Sequence, residues 1–493
     1  MNTEITLKQY KLFDILISFS GKEYAEFGKL VLSPFFSVGR NLYPLYELLG
    51  KYHPDFSSSR AKENLTKEKI YGILNPGKKF DEKKADAIIR RLFSDLNKLA
   101  EQYLLLLSLK KNTVEGEFIL ISELIRRNLD ASYNKHIKKV DDHLKTGKID
   151  EFYFRQLADA ENLKYFYNLS RIDHQEFVID NVIRKGEYNI IYTLQMLGEA
   201  MQNAGANHRV FNAPYEETLI YRFAEKIDYS GFMESVLKEP GDLKDNLTLN
   251  CIRLMNILNP GNIELVIKFR DMIIADLDKY SSEEQNILLI GALNLMRKAG
   301  LGKECFELNR FILEKGLYHL DKTKPFPLII YRELFRGALF YNELEWAQSF
   351  IDSYHKKLLP EYRRDMLHYS NAYLEWNRGN YENVLLHCSK LKSKDARVVT
   401  DLKLLTLRAY YELDAIEPAL SLIDSLILYL KQNKKISREL GIFYSDFAKI
   451  MKTLLMYRLG ERNVTLDKIK TKIETAKNIY AIDWLRKKTA ELA

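Results

Sequence analysis

Residues 369–391 read YSNAYLEWNRGNYENVLLHCSKL, and they carry the pattern that decides the fold. Tyr381, Val384, Leu385, Cys388 and Leu391 fall at i, i+3, i+4, i+7 and i+10, one apolar stripe of a helix. Gly379-Asn380 precedes that helix as a turn. The arrangement recurs on both sides. Upstream, Asn342-Glu343 leads into Ala347, Phe350, Ile351 and Tyr354. Downstream, Asp414-Ala415 leads into Ala419, Leu422, Ile423, Leu426 and Leu430. Pro418 sits in the first turn of that helix, where its missing N–H costs nothing.

Further turn signals lie at Asn259-Pro260-Gly261-Asn262 and Gly300-Leu301-Gly302. With Gly261, Gly300, Asn342, Gly379 and Asp414 as anchors, the spacings are 39, 42, 37 and 35 residues. The 42-residue interval holds Pro325-Phe326-Pro327, read as a loop insertion. The helix that leads each pair is apolar on two faces: Leu402, Leu405 and Ala409 on one, Leu404, Leu407 and Tyr411 on the other. A single pair cannot bury both faces, so the pairs require neighbours. Ser281 and Glu284 have the spacing of a capping box.

Over about residues 245–430 this pattern resembles the tetratricopeptide family. Ala372, Gly379, Tyr381 and Val384 stand where that family has a small residue, a turn glycine, an aromatic and a small residue, and Tyr410 and Ala419 repeat the last two types one unit on. The sequence departs from the family where Val384 replaces the usual alanine, Asp414 replaces the turn glycine, and no proline closes each unit. The resemblance implies an all-α fold, a right-handed helical-hairpin solenoid, with a concave groove that takes a protein, a peptide or a helix. Residues 245–493 are assigned to this array. Residues 112–244 are assigned to a helical linker or upstream repeats, with helices expected over 151–168 and 189–203.

Residues 1–111 form a separate, small helical module with shorter, more punctuated elements. Leu45, Leu48 and Leu49 face one way on a helix entered through Pro44. Thr66 caps a second helix bearing Ile70 and Leu74. Asp81 caps a third, whose wide apolar face runs from Ala85 through Ile88, Ile89, Leu92, Phe93 and Leu96 to Leu99. This order, with Leu74-Asn75-Pro76-Gly77 as the turn, Leu65-Thr66-Lys67-Glu68 opening the second helix and Arg90-Arg91-Leu92 in the third, is similar to the winged helix of bacterial transcription activators. The resemblance implies that the third helix enters a DNA major groove and offers Lys83, Lys84, Arg90, Arg91 and Lys98 to phosphates or bases. Against it, Asp81, Glu82, Asp86 and Asp95 share the helix, and residues 103–109 read equally as strand or helix. The other reading is a cap on the open end of the array, or a partner-binding module.

Composition agrees with a helical protein that buries a core: 46% of the 493 residues are hydrophobic, and only 22 are Gly and 11 Pro. Net charge is +8, of which residues 1–150 hold +6, with 26 Lys and Arg against 20 Asp and Glu. Apolar runs such as Leu104 to Leu107 are far short of a membrane span, and the three cysteines include no C-x-x-C pair. A cytoplasmic protein without disulfides, metal or cofactor is expected.

Catalytic patterns are weak throughout. Gly300-Leu301-Gly302-Lys303 lacks the Ser or Thr of a phosphate loop and reads as an interhelical turn. His136 and His143 are two helical turns apart, too far to share a metal. Arg363 and His368 match the loose Arg-to-His spacing of a family of helical ribonucleases, a match expected by chance. Cys388 belongs to the apolar stripe, so adjacency to His387 makes no nucleophile–base pair. The expectation is therefore a non-enzymatic interaction scaffold or adaptor. The alternative is a DNA-binding regulator whose array senses a ligand or partner.

Overall fold

The computed structural model describes residues 10–36, 39–171, 174, 176–211, 216–236, 241–318, 321, 323–393, 395–433, 436, 438–461, 464–475 and 479–492. Among them it contains 25 α-helices, two short 3-10 turns, one isolated bridge between Ile149 and Tyr280, and no β-strand. The chain is all-α. Contacts divide it into two units, residues 1–147 with 153–189, and residues 148–152 with 190–493.

The first unit opens with α1 (Lys11–Ser18), α2 (Gly21–Leu32), α3 (Tyr43–Gly50), α4 (Ser59–Asn64), α5 (Lys67–Leu74) and α6 (Glu82–Lys111). One buried core joins them, from Leu12 and Phe13 through Phe27, Leu45, Leu49 and Ile70 to Ile89, Phe93 and Leu96. Phe93 receives the ring edges of both Tyr10 and Phe13. The sequence places the caps correctly: Thr66 Oγ1 accepts from Lys69 N at 3.4 Å and Asp81 Oδ1 from Lys84 N at 3.1 Å. A complete capping box, Ser20 with Glu23, starts α2. Residues 103–109 are helix, not strand, because buried Ala100 and Tyr103 continue the apolar stripe of α6. Three further helices, α7 (Thr113–Arg126), α8 (Asp130–Thr146) and α9 (Tyr153–Leu169), close around Phe118, Ile121, Ile137, Val140 and Ala160. The rings of Tyr133 and Tyr167 stack at 3.5 Å. Residues 176–189 of α10 (Glu176–Phe211) complete this unit.

The second unit takes the remainder of α10, then α11 (Leu219–Glu225) and α12 (Tyr229–Val236). A run of hairpins follows: α13 (Gly241–Leu258) with α14 (Ile263–Ala275), α15 (Ser282–Lys298) with α16 (Gly302–Glu314), and α17 (Leu328–Phe340) with α18 (Leu344–Tyr354). It continues with α19 (Pro360–Asn377) and α20 (Tyr381–Ser389), α21 (Ala396–Glu412) and α22 (Ile416–Gln432), α23 (Arg438–Arg458) and α24 (Leu466–Thr475), and ends in α25 (Ile482–Glu491). From α13 on, each helix packs on the next. The leading helices also pack on one another, α17 on α19, α19 on α21 and α21 on α23. This is why a leading helix such as α21 needs two apolar faces, and Leu402, Leu404, Leu405, Leu407 and Ala409 are all buried.

One turn recurs through the run. Gly300, Asn342, Gly379, Asp414 and Gly460 all have positive φ, between 56° and 78°. In each, the next residue's N–H reaches back five positions: Leu301 to Met296 O, Glu343 to Ala338 O, Asn380 to Glu375 O, Ala415 to Tyr410 O, and Glu461 to Met456 O. That is the left-handed helix end that favours Gly and tolerates Asn and Asp, so four of the five anchors predicted from sequence mark the same physical turn. Gly261 does not share it: there φ is 151°, and α14 starts on an Asn262 cap instead. Gly460 extends the series beyond the predicted anchors. The Ser281–Glu284 box is half formed. Ser281 Oγ accepts from Glu284 N at 3.2 Å, while Glu284 itself is buried.

Candidate binding face of the hairpin run

The leading helices α17, α19, α21 and α23 bring their polar residues together on one face. Its centre is Asp401, a buried acid set among the apolar positions of α21. Its side chain is 5% exposed. Arg332 Nη2 donates to Asp401 Oδ2 at 3.0 Å, Tyr369 Oη donates to the same oxygen at 3.0 Å, and Arg336 Nη1 lies 3.7 Å from it. The buried charge is compensated because two donors and the nearby charge of Arg336 meet one carboxylate. Arg332 is mostly buried at 16% exposure, whereas Arg336 is 54% exposed and faces outward. Burial pushes the Tyr369 and Tyr373 hydroxyls up, and the Asp401 charge adds to both. They remain neutral hydrogen-bonding groups at physiological pH. Beside Ser370, the buried Tyr331 hydroxyl makes a 3.1 Å hydrogen bond.

Two helical turns further along this face, Arg408 lies over Trp376 at 4.0 Å and over Trp484 of α25 at 5.2 Å. Trp484 Nε1 donates to Glu412 at 2.8 Å, and Lys488 pairs with the same carboxylate at 2.8 Å. The Nε–H groups of Arg332 and Arg408 are buried without a hydrogen-bond partner among the described residues. The exposed side of Arg336 also lines a cavity of about 450 Å³ with Arg297, Gly300, Gly302 and Glu333. Gly300-Leu301-Gly302 is thus a turn, as read from sequence, and it borders a pocket of ligand size. A Cβ on Gly302 would stand 2.6 Å from Tyr341 Oη, so this glycine serves close packing.

A second polar cluster is sealed. Arg253 is 1% exposed, and its Nε and Nη2 donate to Gln202 Oε1 at 3.1 and 2.6 Å. Burial pushes the nearby Glu284 carboxyl up to about 6, against the pull of Arg253. Gln195 Nε2 donates to Glu284 at 3.4 Å. No ligand reaches a group this deep, so the cluster fixes α10, α13 and α15 to one another.

The residues predicted for nucleic-acid contact, Lys83, Lys84, Arg90, Arg91 and Lys98, are all exposed on α6. Three of them meet acids of the same helix: Lys84 with Asp81 at 3.9 Å, Arg90 with Asp86 at 2.8 Å and Lys98 with Asp95 at 3.9 Å. His136 pairs with Glu117 at 2.6 Å. Arg363 Nε is spent on the Leu358 carbonyl at 2.8 Å, and His368 shares a 3.1 Å contact with His387 instead. Burial pushes the Cys388 thiol up to about 11, away from nucleophilic use. Among the described residues, no three His, Cys, Asp or Glu side chains converge as metal ligands, and no helix is long and apolar enough to cross a membrane.

Sequence reasoning missed Arg332, Arg336, Asp401 and Arg408. The available signal was a charged residue at a core position: Asp401 precedes Leu402 and lies one turn before Leu404 and Leu405 in a two-faced apolar helix. No protein-family model, curated protein or solved structure matches the chain.

Proposed function

We propose that the protein is a non-enzymatic interaction scaffold, in which the hairpins from α13 onward form a tetratricopeptide-like solenoid and the leading helices line its concave side. The observation that carries this reading is the packing of leading helix on leading helix, α17 on α19 on α21 on α23. The side on which successive units lie closest is the inner side of a curved stack. That side carries Arg336, Tyr373, Asp401 and Arg408, a face rich in the Arg and Tyr that anchor protein contacts. The ligand is a protein segment or peptide, and Arg336 supplies the outward charge that an acidic group would meet.

The test is photo-crosslinking in cells from position 373 on the inner face, with position 424 on α22 as a control on the trailing helices. Expected is a defined adduct from 373 that disappears with Arg336→Glu and is absent from 424. Equal, diffuse labelling from both positions would refute the assignment of the face.

A DNA-binding regulator is the second reading. It is favoured by five basic side chains exposed on one helix, and opposed by the carboxylates that lie beside three of them. An isotherm with random duplex DNA that steepens as salt falls would support it.

A further inference from the structure

Around Asp401 the second unit gathers more hydrogen-bond donors than acceptors. The carboxylate is already engaged by Arg332 and Tyr369, at 3.0 Å each, and Arg336 stands 3.7 Å off. Two guanidinium groups thus share one acid, and among the described residues one positive charge is left over. Glu333, the acid that shares a cavity with Arg336, is paired with Arg297. Arg336 is 54% exposed and Asp401 only 5%, so the excess charge is the one that solvent reaches.

Three phenols stand beside this guanidinium. Tyr373 lies on α19, Tyr444 on α23, and Tyr480 just before α25. Ring packing holds them in place: Tyr373 is 5.0 Å from Tyr369, and Tyr480 is 5.9 Å from Tyr444 and 5.1 Å from Phe447. All three are half-buried, and their hydroxyls make no hydrogen bond among the described residues. Burial pushes the Tyr373 and Tyr444 hydroxyls up, so both stay protonated and keep an O–H to donate. Tyr480 and Arg336 act electrostatically on both, so the phenols and the guanidinium share one neighbourhood.

Donors that come from separate helices and lack acceptors call for an anion with oxygens in several directions. A carboxylate is planar, and one guanidinium fork can occupy both of its oxygens. A phosphate monoester carries three terminal oxygens and a charge of about −1.5 to −2 at neutral pH. Asp401 opposes such an anion, but its own charge is already divided between Arg332 and Arg336.

We propose that this site takes a phosphoryl group borne on a side chain of the bound segment, with Arg336 meeting its charge and Tyr373, Tyr444 and Tyr480 donating to its oxygens. The proposal rests on the reading of this face as the one that binds a protein segment.

The experiment uses the full chain and three peptides, Ala-Ala-X-Ala-Ala, in which X is phosphoserine, glutamate or serine, with adenosine monophosphate as a fourth probe. Calorimetry at pH 7.5 is expected to show the phosphoserine peptide binding about tenfold or more tightly than the glutamate peptide, with affinity falling as pH drops through about 6, where the phosphoryl group gains a proton. Tyr444→Phe and Tyr480→Phe keep the rings, so each should weaken the phosphoserine peptide by about tenfold, as loss of a hydrogen bond to a charged group does, and leave the glutamate peptide unchanged. Equal affinity for phosphoserine and glutamate, no binding of the phosphoserine peptide at millimolar concentration, or indifference to both Phe variants would overturn the proposal. Tighter binding of adenosine monophosphate would also overturn it, because the occupant would then be a nucleotide. A photo-crosslinker at position 340, where Phe340 is 80% exposed one turn beyond Arg336, leaves all four donors in place. An adduct that phosphatase treatment of the lysate abolishes is the expected result. An adduct that survives phosphatase would overturn the phosphoryl assignment and leave the segment-binding reading standing, whereas no adduct would count against both.

Discussion

His368 and His387 meet Nδ1 to Nδ1 at 3.1 Å across the α19–α20 hairpin. Partial burial holds both imidazoles below the ordinary histidine range, and for His368 the charge of His387 adds to it. Because the folded values lie below the unfolded one, the unfolded chain takes up these protons first. Stability is then complete above the ordinary histidine pKa of about 6.5 and is lost as pH falls through the depressed folded values. Melting temperatures measured from pH 8 to pH 5 should fall in the wild type. In His387→Asn the fall should be shallower. Parallel curves would exclude the pair as its cause.

Asp401 predicts an asymmetric mutational response. Asp401→Ala strands Arg332 in a poorly hydrated site and should cost about 3 kcal/mol in urea unfolding. Replacing both partners, with Arg332→Met and Asp401→Leu, should cost much less, since no charge is then left buried. A double variant as damaged as the single would show that packing rather than charge dominates there.

The recurrent turn can be tested by exchange. Asn342 occupies the left-handed region with φ of 59°, so Asn342→Gly should stabilise by about 0.5–1 kcal/mol. Gly379, with φ of 78°, should lose about 1 kcal/mol or more as Gly379→Ala. Chemical denaturation midpoints that move in opposite directions are the expected result.

Trp484 holds α25 through Arg408, Tyr411 and Glu412. Trp484→Ala should release the last helix while leaving the hairpins before it folded. Hydrogen exchange is expected to rise over residues 479–492 and stay unchanged over α15 to α18. Protection loss spread through the whole run would contradict so local a role.

For α6, anisotropy of the full chain with random duplex DNA should give no salt-sensitive binding, because Asp81, Asp86 and Asp95 lie beside Lys84, Arg90 and Lys98 and would repel phosphate. Binding that falls when Arg90 and Arg91 become Ala would reverse this and favour the regulator.

What could be read from sequence follows from the range of the forces involved. The hairpin turns were visible at Gly300, Asn342, Gly379 and Asp414 because a left-handed residue restricts the amino acid at that one position. The caps at Thr66 and Asp81 were visible for the same local reason. Gly261 misled because a glycine in a Pro-Gly turn need not close a helix in the left-handed manner. The binding face was invisible. Asp401 finds its partners 69 and 32 residues earlier, at Arg332 and Tyr369, and no local pattern announces a pairing at that range. Ser281 and Glu284 have the spacing of a capping box, and the serine caps the helix, but the acid is drawn into the core beside Gln195.

The turn at Gly300, Asn342, Gly379, Asp414 and Gly460 has a consequence for how such a chain can change over time. Each helix of the run packs on the next, and these five hairpins are closed by the same left-handed turn with the same backbone hydrogen bond. A hairpin duplicated or deleted between two such junctions leaves interchangeable ends to rejoin. Length is therefore the property of this unit that natural variation can alter most cheaply, and related chains should differ by whole hairpins before they differ in the turn itself.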